Sequence, residues 1–168
     1  LETAVFICKN EEYLGKFIFK NEYRKDLEKM FSQLKNFQIN ILSGDNSSEE
    51  NQLRKLAPSV HEMRFNQSPE NKLDYIQELQ MANKNVAMFG DGLNDAGALK
   101  QSNVGIAIAD DTNSFTPSSD VIMKGDRIID IKKYIDLSKD AMTIVKTMFV
   151  ISFLYNIVGL SYAVTGKL

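Results

Sequence analysis

Gly90-Asp91-Gly92-Leu93-Asn94-Asp95 follows directly on the apolar stretch Val86-Ala87-Met88-Phe89. A short apolar run bounded in this way reads as a buried strand, and Ala96 to Lys100 then reads as a helix. Open α/β sheets bind their ligands at the carboxyl ends of strands, so the turn between these two elements stands where chemistry is done. Carboxylates suit Mg²⁺, a hard cation that takes oxygen ligands and is commonly shared with phosphate. The glycines let the backbone come close to a phosphate. Asp91 is the first candidate for the cation and Asp95 a second or outer ligand. The side-chain amide of Asn94 could donate to a phosphoryl oxygen. Asp, Asn and Gly are also ordinary turn residues. The competing reading is therefore a polar strand-to-helix turn with no chemistry. The complete string after an apolar strand favours the first reading.

The elements around this turn can be read from periodicity and caps. Thr3 to Cys8 and Gly15 to Phe19 read as two strands of a hairpin joined by Lys9 to Leu14. Tyr23, Leu27, Met30, Phe31 and Leu34 recur at helical spacing and predict an amphipathic helix capped by Asn21. Gln38 to Leu42 is the next strand. Ser47 and Glu50 have the spacing of a capping box for a short helix ending before Pro58. Glu62 to Phe65 is a short strand. Ser68 as cap and Pro69 at the first position open a helix carrying Leu73, Ile76 and Leu79. Val104 to Ile108 and Val121 to Met123 are further strands, and Arg127 onward is helical. Strands alternating with helices predict an α/β fold with a parallel sheet covered by helices on both faces. Asp110 to Ser119, rich in Asp, Thr, Ser and Asn, is expected to be a surface loop.

A chain of 168 residues is long enough for one domain with a real core. A net charge of −2 gives no basic footprint, so nucleic-acid binding is not indicated. The one cysteine, Cys8, excludes an internal disulfide. Lying in the apolar run Ala4 to Cys8, it is expected to be a buried thiol. His61 is the only histidine, and one His makes no metal site. No charged residue stands between Lys146 and Lys167. That interval matches the ~20 residues that cross a bilayer core, and a buried helix of a soluble domain is the competing reading. Lys132, Lys133, Lys139 and Lys146 precede the run and Lys167 follows it, an asymmetry that places the preceding domain in the cytoplasm. The chain opens without a methionine and closes just beyond the apolar run, so it is expected to be a piece of a longer protein.

The turn at Gly90 to Asp95 resembles the hinge motif of P-type cation-transporting ATPases and of the wider haloacid-dehalogenase-like superfamily. Ile41-Leu42-Ser43-Gly44-Asp45-Asn46 is similar to the T-G-D segment of those ATPases, with Ser for Thr. Ser68-Pro69-Glu70-Asn71-Lys72 is similar to their P-x-x-K segment. Leu137-Ser138, followed by an apolar stretch with Tyr155-Asn156, resembles the heavy-metal branch, with copper as the first candidate. The resemblance implies a Rossmann-like (haloacid-dehalogenase-like) parallel sheet with flanking helices and one C-terminal transmembrane helix. It implies Mg²⁺ and ATP as cofactors and an aspartyl-phosphate as intermediate. It further implies that the Ser43 hydroxyl and the Gly44 backbone donate to the phosphoryl group. Lys72 would place a positive charge beside it, and Asp45 would face nucleotide and metal.

The family's nucleophile motif, D-K-T-G-T, is absent, and in the family it lies upstream of the region matched here. Residues 1–20 would then be the closing strands of the nucleotide-binding domain, 21–136 the C-terminal part of the phosphorylation domain, and 137–168 the stalk and transmembrane helix. Partners would be the bilayer and the remaining domains of the parent pump. Asn21-Glu22-Tyr23-Arg24 departs from the usual D-x-x-R, and Gly97 replaces a frequent Pro. In the apolar tail, copper-transporting relatives carry Tyr-Asn as part of the metal path, while Met148 and Ser161 replace a usual Asn and Pro. An interhelical hydrogen bond without metal is the structural alternative for Asn156. A soluble phosphatase of the same fold, or a non-catalytic module that kept it, are the competing functions.

Overall fold

The computed structural model describes residues 3–19, 23–24, 26–110 and 118–166. It divides into two compact units, Leu1–Ile129 and Asp130–Leu168.

The first unit begins with an antiparallel hairpin, β1 (Thr3–Lys9) and β2 (Glu12–Phe19). Its turn is tighter than the spacing of apolar residues suggests. Asn10 and Glu11 both have positive φ, 49° and 68°, as the two central residues of a type I′ turn require, so the strands continue almost to the tip. Cys8 is exposed, not buried. The reason is that, among the described residues, the hairpin pairs only with itself and leaves Phe6, Phe17 and Phe19 more than half exposed.

α1 spans Leu27–Gln33 and buries Met30. It starts later than the periodicity predicts. Asp26, at φ 64°, breaks the helical path ahead of Leu27, which leaves Tyr23 outside the helix. Asn21 lies outside the described residues. β3 (Ile39–Leu42) pairs in parallel with β4 (Val60–Arg64). Between them a 3₁₀ turn, Ser47–Glu49, leads into α2 (Glu50–Leu56). The cap is Asn46, whose Oδ1 accepts from the Ser48 amide at 2.9 Å, and not Ser47. Both residue types cap well, and the 3₁₀ turn begins one residue earlier than a capping box would allow.

α3 (Pro69–Met81) follows β4. Ser68 Oγ accepts from the Asn71 amide at 3.1 Å and donates to Asn71 Oδ1, and Pro69 fills a position that needs no N–H. Tyr75 and Ile76 are buried. Tyr75 Oη donates to Glu62 on β4 at 2.7 Å, and the Arg64 guanidinium lies 4.1 Å from the centre of the Tyr75 ring. The hydrogen bond from Arg64, and then that from Tyr75, hold the Glu62 carboxyl below its usual range. These contacts fasten the first two turns of α3 to the strand before it. Ser68→Ala is expected to cost about 1 kcal/mol, read as a lower urea midpoint with an unchanged m-value.

β5 (Ala87–Gly90), β6 (Val104–Ala109) and β7 (Val121–Lys124) form a three-stranded parallel sheet in that order. α4 (Ala96–Gln101) connects β5 to β6 and buries Ala98 and Leu99. α3 and α4 pack on each other. A 3₁₀ turn, Gly125–Asp130, ends β7. The chain is thus α/β with parallel pairing, in two sheets, β3-β4 and β5-β6-β7. Of the loop expected at Asp110 to Ser119, residues 111–117 lie outside the described residues.

In the second unit, α5 (Ile131–Val164) is one continuous helix of 34 residues. Its first turns are polar, with Lys132 paired to Asp136 and Lys133 to Asp130. The remainder is long and apolar enough to cross a membrane, and its side chains are exposed.

Candidate active site

Ser43 and Asp91 each follow the last residues of a parallel strand, β3 and β5. The turn after β5 folds on the Asp91 carboxylate. Oδ1 accepts from the amides of Leu93 and Asn94, each at 3.1 Å, and Oδ2 accepts from Asn94 Nδ2 at 3.2 Å. Gly92 is buried with φ 85°, a conformation that a side chain would strain. The carboxylate is thus oriented by the backbone while Asp91 itself remains exposed. Three of its roughly four acceptor positions are used in this arrangement.

Asp95 ends the turn and is buried. Its Oδ1 accepts from Lys72 Nζ at 2.7 Å, with the side chains only 11% and 13% exposed. The carboxylate lies over Gly90, where a Cβ would stand 2.6 Å from Asp95 Oδ2. Glycine at 90 is therefore required by the Asp95 side chain as much as by any ligand. The pair joins α3 to the turn after β5, and a separation of 23 residues gives it no local signature in the sequence.

The turn after β3 is tied to the start of α3 by main-chain bonds. The Ser43 amide donates to Arg64 O and the Gln67 amide to Ser43 O, both at 2.9 Å. The Asn66 amide donates to Asp45 O at 2.8 Å. Ser43 Oγ accepts from the Asp45 amide at 3.1 Å, which leaves its hydroxyl proton to be donated elsewhere. Gly44 and Asp45 are exposed. A connected path thus runs from Ser43 through Gln67, the Ser68 cap and Lys72 to Asp95 and Asp91. Lys72 meets Asp95 directly and Asn94 binds Asp91, while Ser43, Gly44 and Asp45 share the turn after β3. Sequence reasoning placed each of these residues but not the bonds between them.

A family model for haloacid-dehalogenase-like hydrolases matches residues 1–103. The chain belongs to the haloacid-dehalogenase-like hydrolases. Across 99% of its length it is 30% identical to the "Probable copper-importing P-type ATPase A" of Enterococcus hirae, of which it covers 23%. It is also 30% identical to the "Cadmium-transporting ATPase" of Staphylococcus aureus over 99% of its length, again 23% of that protein. A zinc-transporting PIB-type ATPase in the E2P state has 25% sequence identity and a TM-score of 0.66, over 87% of this chain and 24% of that one. The chain spans between 11% and 23% of the length of the first curated relatives it matches.

The donor set of this haloacid-dehalogenase-like site fits Mg²⁺. Mg²⁺ is held by one or two carboxylates together with substrate phosphates and water, not by a full protein cage. One exposed, backbone-oriented carboxylate with an amide beside it matches that need. Among the described residues no cluster of three His, Cys, Asp or Glu side chains could hold a metal ion by itself. His61 lies exposed on β4, and Tyr155 and Asn156 lie exposed on α5.

Proposed function

We propose that this chain is the C-terminal part of the phosphorylation domain of a heavy-metal-transporting P-type ATPase together with the membrane helix that follows. The observation that carries the reading is a likeness that runs through both units, since the match to the Enterococcus hirae ATPase covers 99% of the chain. Residues 1–20 close the nucleotide-binding domain, 21–136 belong to the phosphorylation domain and 137–168 form stalk and membrane helix. The parent protein sits in the bilayer with its catalytic domains in the cytoplasm. A soluble phosphatase of the same fold has no use for the exposed apolar surface of α5.

The reaction is transfer of the γ-phosphoryl group of ATP to an aspartate carboxylate of the upstream segment. The bond from phosphorus to the ADP oxygen breaks, ADP leaves with the electron pair, and a bond from phosphorus to the carboxylate forms. Hydrolysis later returns the carboxylate and releases phosphate. Such a transfer is driven by positioning and charge stabilisation. Asp91, with Asp95 as the second carboxylate, would hold Mg²⁺, and the ion would supply positive charge that neutralises phosphoryl charge. Ser43 donates its hydroxyl, and Gly44 its amide, to phosphoryl oxygens. Lys72 has three N–H donors, of which one goes to Asp95, so its charge is held in place beside the phosphoryl group. Asn94 has a second amide proton to give while it orients Asp91. Asp45 faces the nucleotide side. Two open strand edges support an upstream strand at this site. Among the described residues β3 and β5 each pair on one side only, and the buried Asn40 Oδ1 on β3 has no hydrogen-bond partner. A buried acceptor left unpaired is unusual in a complete domain.

The test is phosphoenzyme formation. Incubated with Mg²⁺ and γ-labelled ATP, the isolated chain is expected to take up no acid-stable label. The chain joined to its upstream half is expected to take up hydroxylamine-sensitive label stoichiometrically. Label on the isolated chain, or none on the joined protein, overturns the reading.

The transported ion is a soft or borderline metal, with Cu(I) first. Tyr155 and Asn156 stand about nine residues, or ~14 Å, beyond Lys146 along α5, near the middle of a bilayer. A polar amide at that depth is functional by default. In the full-length protein Asn156→Ala is expected to lower Cu(I)-stimulated ATPase activity while insertion survives, because an interhelical hydrogen bond is worth only ~1 kcal/mol. Turnover stimulated by Zn²⁺ or Cd²⁺ and not by Cu(I) would change the metal and leave the rest standing.

A further inference from the structure

The lysines ahead of the apolar span of α5 repeat at a fixed interval. Lys132, Lys139 and Lys146 stand seven residues apart on one continuous helix. Seven residues fall only ~20° short of two full turns, so the three side chains form one stripe. Tyr134, Leu137, Ala141, Ile144 and Met148 recur at alternate steps of three and four residues, and all five are exposed. Their stripe is centred about half a turn from the lysines, at ~100° per residue. The stretch of α5 that leads into the span thus has an apolar side and a basic side. The acids of this stretch lie apart from Lys139 and Lys146. Asp136 pairs with Lys132 and Asp130 with Lys133, and Asp140 stands ~100° around the helix from Lys139.

Height along the helix separates the three lysines. The uncharged interval after Lys146 is ~30 Å long at helical rise, the thickness of a hydrocarbon core, so Lys146 marks its boundary. Helical side chains lean toward the N-terminus, which directs the Lys146 ammonium out of the hydrocarbon. Lys139 stands ~10 Å higher and Lys132 ~21 Å higher. The headgroup layer of one leaflet is about 5–8 Å deep. Lys146 therefore lies within that layer, and Lys139 at its outer edge, within the ~8 Å Debye length of the phosphates. Lys132 lies beyond it, and its Nζ donates to both oxygens of Asp136.

We infer that Lys139 and Lys146 form a docking face for anionic phospholipid headgroups in the leaflet on the side of the catalytic domain. The inference rests on the function proposed above, in which α5 crosses the bilayer. An orientation signal asks only for basic residues on one side of the membrane and is indifferent to where they lie around the helix. A stripe opposite an apolar side turns both ammonium groups toward the same annulus of lipid and leaves the apolar side for other segments of the parent. At ~10 Å apart the two groups cannot clamp one phosphate, so each takes a headgroup of its own. Each basic residue near an anionic surface is worth about fivefold in lipid preference.

The test uses the full-length protein in vesicles of equal parts phosphatidylcholine and phosphatidylglycerol. Photoactivatable analogues of the two lipids, with the reactive group beside the headgroup, are cross-linked, and the labelled peptides are identified by mass spectrometry. In the wild type, residues 137–150 are expected to carry phosphatidylglycerol label in excess over phosphatidylcholine label. Lys139→Gln and Lys146→Gln should each lower that ratio about fivefold, and together roughly twentyfold. Lys139→Arg with Lys146→Arg should keep it, and Lys132→Gln should leave it within about twofold. Equal labelling by both lipids in the wild type overturns the inference, as does an excess that survives the double Gln variant or is lost in the double Arg variant. An excess abolished by inorganic phosphate at constant ionic strength assigns the lysines to a soluble phosphate ligand and overturns it too. Wild-type protein that alkaline carbonate strips from membranes overturns the reading of α5 as a membrane helix, and the inference with it.

Discussion

Asp91→Asn in the full-length protein is expected to abolish Mg²⁺-dependent phosphorylation from ATP. The substitution keeps the size of the side chain, and Oδ1 can still accept from the amides of Leu93 and Asn94. The turn therefore keeps its main-chain bonds, and what is lost is the Asn94 Nδ2 bond to Oδ2 and the negative charge that would hold the cation. Removing a single stabilising group from a preorganised site costs about 10²–10³ in rate, and loss of the metal's principal carboxylate belongs at the upper end. The measurement is acid-stable label from γ-labelled ATP across a Mg²⁺ titration. Raised Mg²⁺ should recover part of the activity if the site is weakened and not destroyed. Near-normal phosphorylation at ordinary Mg²⁺ would remove Asp91 from the cation site and return the turn to a purely structural role.

Lys72→Ala is expected to damage both folding and chemistry, and the two effects can be separated. Truncation leaves the Asp95 carboxylate buried without its counter-charge. Breaking such a pair from one side costs about 3 kcal/mol, and the loss appears as a lower urea midpoint. In Lys72→Met with Asp95→Leu both charges are gone, and an apolar replacement of a buried pair is close to neutral for stability. Phosphorylation should nevertheless stay depressed by about 10²-fold, because the charge beside the phosphoryl group and the second carboxylate of the cation site are both missing. Recovery of activity together with stability would show that Lys72 is a strut between α3 and the turn after β5, with no part in transfer.

Local signals carried most of the secondary structure. Ser68 and Pro69 mark the start of α3 because a cap hydroxyl and a missing N–H act within one turn of chain. The apolar run before Gly90 marks β5 for the same short-range reason, and the uncharged interval after Lys146 marks α5 by length alone. The chemistry-bearing residues were legible as types in their places, since Asp91, Ser43 and Lys72 each sit at the edge of an element that the pattern defines.

Tertiary structure decided what pairs with what. Nothing in the spacing of Lys72 and Asp95 announces an ion pair, because they meet only when α3 packs on α4. The direction of Tyr23 was likewise undetermined. Its spacing fits the face of α1, yet Asp26 in a left-handed conformation ends that pattern and frees Tyr23 to reach Glu49. Cys8 shows the same limit from the other side. An apolar strand is buried only if something covers it, and burial is a property of the neighbours, not of the strand. Sequence determines which residues can cap, turn, pack or bind a cation, because those preferences are local. Which of them meet is set by strand pairing and helix packing across tens of residues, where the entropy of closing the intervening chain is repaid only by the assembled whole.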